Sequence, residues 1–160
     1  MNFLSRLTFG ILLAATATVG CSSTSSNPTP GTGGTGGGGG GGGSGPDPSF
    51  MAVAPCSTEA SYTTSGTTIA FGGTDPGFNY APNCLKVSTG ASVTFNGDFS
   101  MHPLGPSAVR GMTTGNPIVV TNTGTTKSFT FPAAGFWAYY CMFHGSDADG
   151  NFMSGVIWVK

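Results

Sequence analysis

The chain reads as an all-β sandwich of seven or eight short strands behind a disordered glycine-rich linker. Three observations predict it. Val, Ile, Thr, Phe and Tyr crowd the part of the chain after residue 60, and no hydrophobic period of a helix runs through it. Short apolar runs there are separated by Gly, Pro, Asn and Thr clusters, which are turn formers. The first third has a different composition altogether, so about 110 residues remain for one core of ordinary domain size.

Residues 1–20 read as an export signal. Arg6 precedes an apolar run from Leu7 to Val19 that is too short to span a bilayer comfortably. The run ends in Thr18-Val19-Gly20-Cys21. This resembles a bacterial lipobox, in which the cysteine is lipidated and becomes the new N-terminus, although Leu is usual where Thr18 stands. Ala15-Thr16-Ala17 offers ordinary cleavage instead, which would leave a soluble secreted protein. Residues 21–48 hold Ser, Thr, Pro and Gly, with unbroken glycine at 36–43. Such a segment cannot bury apolar surface, and as a coil it would hold the domain roughly 30 Å from an anchor at Cys21.

The folded domain is expected over 49–160. Thr67–Phe71 reads as the first strand, closed by Gly72-Gly73. Leu85–Val87 and Ala91–Phe95 follow, with Thr89-Gly90 as their turn. A short segment, Met101–Leu104, carries one histidine. Ile118–Val120 is a further apolar run. Lys127–Phe131 alternates and puts Phe129 and Phe131 on one face. Phe136–Cys141 is a long aromatic strand, and Val156–Val159 closes the chain. Residues 105–116 show no period.

Only 7% of residues are charged and the net charge is −1. A typical soluble domain carries roughly 25%. Neither a basic stripe for nucleic acid nor a charged block for a partner exists, so uncharged polar residues make the surface.

Four cysteines are present. Cys21 belongs to the signal junction. Export implies an oxidising compartment, so a Cys56–Cys84 disulfide is the economical pairing, though spacing does not establish it. A structural zinc site built from Cys56, Cys84, Cys141 and a histidine is the rival.

Cys141 lies three residues before His144, in one loop with Met153. The chain's other histidine, His102, stands just past a strand-like run. Two imidazoles, a thiolate and a thioether make the donor set of a blue-copper site. The run Gly135 to Gly145, the ending Met153-Ser154-Gly155-Val156-Ile157-Trp158-Val159, and the upstream pieces Leu85-Lys86-Val87, Gly90, Val93-Thr94-Phe95-Asn96 and His102-Pro103-Leu104 resemble the cupredoxins of the plastocyanin and azurin kind. The likeness covers 67–160, with its middle unmatched.

The resemblance implies a Greek-key sandwich binding one copper ion. His102 and His144 would be its imidazole ligands, Cys141 its thiolate and Met153 its axial thioether. It implies a monomeric carrier of single electrons between redox proteins in the bacterial periplasm or at the cell surface, and no catalyst. Copper storage, delivery or sensing is the alternative use of the same site. Asn96, Gly97 and Asp98 are candidates for outer contacts. The loop between His144 and Met153 is longer than is usual in that family. It either bulges into solvent or moves Met153 away, in which case an oxygen ligand or an open position takes over; Met142 is a poor substitute between two ligands, and Met101 and Met112 lack the matching context.

Overall fold

The computed structural model describes residues 47–72 and 77–160. The expected signal, linker and Cys21 lie outside them. Eight strands follow a 3₁₀ turn at Glu59–Ser61: β1 Thr68–Gly72, β2 Gly77–Ala81, β3 Cys84–Val87, β4 Ser92–Asn96, β5 Leu104–Gly111, β6 Thr126–Thr130, β7 Gly135–Gly145 and β8 Phe152–Val159. They form two four-stranded sheets, ordered β2-β1-β4-β6 and β3-β8-β7-β5. The expected all-β sandwich is therefore observed. Both sheets are mixed, because β1 runs parallel to β4 and β3 parallel to β8. Only the β1–β2 and β7–β8 connections stay within a sheet; the other five cross between sheets.

Alternation explains the sandwich. Ile69 and Phe71, Val93 and Phe95, and Phe129 point inward from the first sheet. Leu85, Trp137, Tyr139, Ile157 and Val159 meet them from the second. Phe131 joins Phe129 in this core, as their spacing requires. The intervening residues of β7 and β8 would face water in a simple sandwich, yet Phe136, Ala138, Val156 and Trp158 are buried too. They form a second cluster with Val53, Cys56 and Tyr62, and Phe50 packs against it. The stretch before β1 thus lies over the outer face of the second sheet. This is why β8 reads as a continuous apolar run with no polar alternation.

The stretch is secured at several points. Cys56 and Cys84 form a disulfide with a Cα separation of 5.8 Å. This removes the rival zinc site, since Cys141 alone is free among the described cysteines. Phe136 stacks on Trp158 at 5.2 Å, and the rings of Phe50 and Tyr62 meet Trp158 edge-on. Lys160 pairs with Asp47, and Lys86 pairs with Glu59 at 3.1 Å. The Lys160 contact and the Ser49 hydroxyl hold the Asp47 carboxyl below its ordinary value.

Three stretches show where the fold departs from the sequence pattern. Ile118–Val120 is not a strand. The Asn116 amide accepts from the Ile118 N–H at 3.1 Å and donates to the Ala138 carbonyl at 3.1 Å, so a side chain replaces the ladder. Ile118 is buried, while Val119 and Val120 are exposed. Residues 105–116, which lack a period, hold most of β5, whose alternation is broken by buried Ser107 and Arg110. Strand β2 had no clear sequence signal because most of its residues are exposed.

Candidate metal centre

Each donor is delivered by a local device. Beyond β4, the Asp98 carboxylate accepts from the Ser100 N–H at 2.8 Å and its hydroxyl at 2.6 Å. This is the side-chain turn that Asp favours. The Asp98 carbonyl then accepts the His102 N–H at 3.0 Å. Asp98 therefore supports the site through its turn. Asn96 instead accepts the Thr126 hydroxyl at 3.3 Å, away from the imidazoles. Gly72, with φ +73°, leaves room for the His102 ring: a Cβ there would stand 3.1 Å from its Cδ2.

The other two donors come from an irregularity in the β7–β8 ladder. Tyr140 pairs with Ser154, and the next pair is Gly145 with Phe152. Residues 141–144 on β7 therefore stand opposite Met153 alone. This bulge re-aims Cys141 and His144 while the hairpin stays closed. Gly145 is required there, because a Cβ would collide with the Met153 carbonyl. On its other side Cys141 pairs with Leu104 of β5, and the Pro103 carbonyl accepts the Met142 N–H at 2.8 Å. The ladder thereby sets His102 beside Cys141 despite a sequence separation of 39.

Three donor atoms converge. His102 Nδ1 lies 3.1 Å from His144 Nδ1, and Cys141 Sγ lies 3.5 Å from His144 Nδ1 and 3.9 Å from His102 Nδ1. With metal–nitrogen and metal–sulfur bonds of about 2.0 and 2.3 Å, a trigonal ion needs sulfur–nitrogen edges of about 3.7 Å. The two observed edges bracket that length. The nitrogen–nitrogen edge corresponds to an angle of roughly 100° at the ion for the same bond lengths. The donors thus fit a small metal ion of borderline-soft character.

Met153 sits on β8 opposite this bulge. It is fully buried and belongs to the same core cluster as Cys141. The long loop therefore does not carry Met153 out of the fold. Met101 is largely exposed and Met112 is exposed as well, whereas Met153 is not.

Burial sets the proton chemistry. It pulls the His102 imidazolium down, and His144 adds to that effect. Burial also pushes the Cys141 thiol up, against the N–H groups of Phe143 and His144, which favour the thiolate. The centre is nearly closed: Cys141 is fully buried and His102 is 7% exposed. His144 lies at the rim. The exposed Phe78 ring covers it at 4.6 Å and reaches His102 at 5.5 Å. Phe143 and Phe152 are also exposed on this part of the chain. Phe78 was not found in the sequence, since a phenylalanine in a polar, unpatterned stretch gives no sign of an imidazole beside it.

No family model and no curated protein matches the chain. Among solved structures, it is similar to a purple cupredoxin from Nitrosopumilus maritimus at 23% identity and TM-score 0.41, over 59% of this chain and all of that one. A reduced Cu(I) form of an amicyanin variant aligns at 20% identity and TM-score 0.40, over 61% of this chain and 85% of its own. A copper-containing nitrite reductase from Thermus scotoductus aligns at 19% identity and TM-score 0.38, over 69% of this chain and 25% of its own.

Proposed function

We propose that the chain is a blue-copper electron carrier of the cupredoxin kind. The observation that carries this reading is the donor triangle of two Nδ1 atoms and one Sγ, with the spacing of a trigonal ion. A soft thiolate with two imidazoles favours copper, and a weak thioether from Met153 would complete the set. Bound copper would supply a one-electron couple. The protein's part is to keep the donors where both oxidation states accept them. Strand β5 holds Cys141 through its pair with Leu104, β8 faces it across the bulge, and the Asp98 turn holds His102. Burial of Cys141 and His102 excludes water and opposes easy exchange of the ion, which favours a carrier over storage or delivery. His144, at the rim beside Phe78, is the exit for an electron toward a partner protein.

The test is addition of one equivalent of Cu(II) to the purified domain. An intense visible band from thiolate-to-copper charge transfer and a reversible one-electron potential are expected. Tight binding without the band would exclude the blue-copper reading, and slow electron self-exchange with ready copper transfer would favour delivery.

Residues 1–21 support a site of action outside the cytoplasm, tethered through Cys21, and the Cys56–Cys84 disulfide agrees with an oxidising compartment. Mass spectrometry of the mature N-terminus is expected to find a lipid-modified Cys21. A free N-terminal Thr18 would rule that anchor out.

A further inference from the structure

The segment between His144 and Met153 is bound to the fold by an arrangement that a freely bulging loop would lack. Asp147 reaches across to β5. Its Oδ1 accepts the Ser107 hydroxyl at 2.5 Å, and its Oδ2 accepts the Ala108 N–H at 3.0 Å. The Ser107 oxygen in turn accepts the Arg110 N–H at 2.8 Å. Arg110 is 7% exposed, and each guanidinium nitrogen has a carbonyl partner. Nε donates to Asp147 at 2.8 Å, one terminal nitrogen to Ala54 at 2.5 Å and the other to Tyr139 at 3.3 Å. Gly150 closes over this hub: a Cβ there would stand 2.7 Å from both the guanidinium and the Ala54 carbonyl. From the other side the Ser154 hydroxyl donates to Asn151 at 3.2 Å.

A buried guanidinium is costly unless its donors are satisfied. Here three carbonyls accept its hydrogen bonds and the Asp147 carboxylate lies 4.0 Å from Nε as the balancing charge, so two of these four groups belong to Asp147. Asp147 thus ties the loop to β5, and Arg110 carries that tie on to Tyr139 of β7 and to Ala54 in the covering stretch before β1. Both ends of the loop are donor positions, His144 three residues before Asp147 and Met153 six residues after it.

Resting on the copper reading, we infer that Asp147, seated on Ser107 and Arg110, is a positioning residue that fixes His144 and Met153 about the metal. Its carboxylate touches no donor atom. It acts by removing the freedom of the chain between them. Partners of this kind beyond the direct ligands typically carry about 10–100-fold in metal affinity.

The experiment compares wild type, Asp147→Ala, Asp147→Asn, Ser107→Ala and the Asp147→Ala/Ser107→Ala pair. Each is titrated with Cu(II), with the visible spectrum and reduction potential recorded. Amide exchange of the metal-free domain is followed alongside. Asp147→Ala is expected to weaken Cu(II) binding about 10–100-fold and to move the band. Asp147→Asn, which keeps one acceptor oxygen, should fall between it and wild type. The pair should lose less than the sum of its members, since they share one bond. In the metal-free domain Asp147→Ala should speed exchange at Ala108 and across 146–151. If Asp147→Ala fails to fold, Asp147→Asn and Ser107→Ala carry the same comparison. A wild type with the band, beside variants of unchanged affinity, band and potential, overturns the positioning role and leaves the copper reading intact. A wild type that shows no band overturns both.

Discussion

Replacing Cys141 with serine is expected to abolish the visible band and to weaken copper binding by more than the loss at Asp147. The band requires a sulfur donor, and serine offers a hard oxygen that keeps its proton at neutral pH. Cys141 is also the one donor set between two strands, paired with Leu104 and lying in the bulge opposite Met153, so no neighbouring thiol can move in. Among the described cysteines the other two are in the disulfide. Loss of a direct ligand should exceed the roughly 100-fold upper range for an outer partner. The metal-free fold should suffer little. The serine oxygen, on a shorter bond than Sγ, would lie near His144 Nδ1, from which Sγ is 3.5 Å, and burying a hydroxyl even without a partner costs about 1–3 kcal/mol. Copper titration and thermal unfolding of the metal-free Cys141→Ser variant check the two halves. A retained band would remove the thiolate from the assignment.

The second large effect concerns stability and not the metal. Changing Cys56 and Cys84 together to serine opens a cross-link between residues 28 positions apart. Loop-closure entropy for such a span is worth about 3.5 kcal/mol in the unfolded chain. Urea unfolding of the metal-free Cys56→Ser/Cys84→Ser variant should therefore show a loss of that order. Its blue band should remain unchanged, because the disulfide belongs to the cluster on the outer face of the second sheet, whereas Cys141 and Met153 belong to the core between sheets. A loss below about 1 kcal/mol would mean that the outer cluster holds the stretch without the cross-link.

The sequence made some of this legible for definite reasons. Strands β1, β3, β4 and β6 carry apolar residues at alternate positions or in compact runs, and the structure places them within a residue or two of their expected bounds. Two donors lay three residues apart, and the chain's only other histidine completed the set. What was hidden depended on partners distant in sequence. Strand β2 is mostly exposed and pairs through its backbone with β1, so its side chains carry little signal. Strand β5 contains Ser107 and Arg110, whose burial is explained by distant partners: a loop some 40 residues later, Ala54 and Tyr139. A faint sign did exist. Arg110 is the single arginine after the signal region in a chain with 7% charged residues, and an isolated cation in such a chain needs a reason. The covering stretch at 50–62 was equally unreadable, since it is secured by scattered rings and a cross-link and has no period.

The strand order β3-β8-β7-β5 has a consequence for how the chain acquires this shape. Strand β8 is an inner member of its sheet, yet it lies later in the chain than every strand it joins. Without residues 152–159, β3 keeps its bridge to Thr63 but has no strand beside it, and the core and the outer apolar cluster both stay open. Completing the fold therefore depends on pairing β3 with a strand far along the chain, a non-local topology that slows folding.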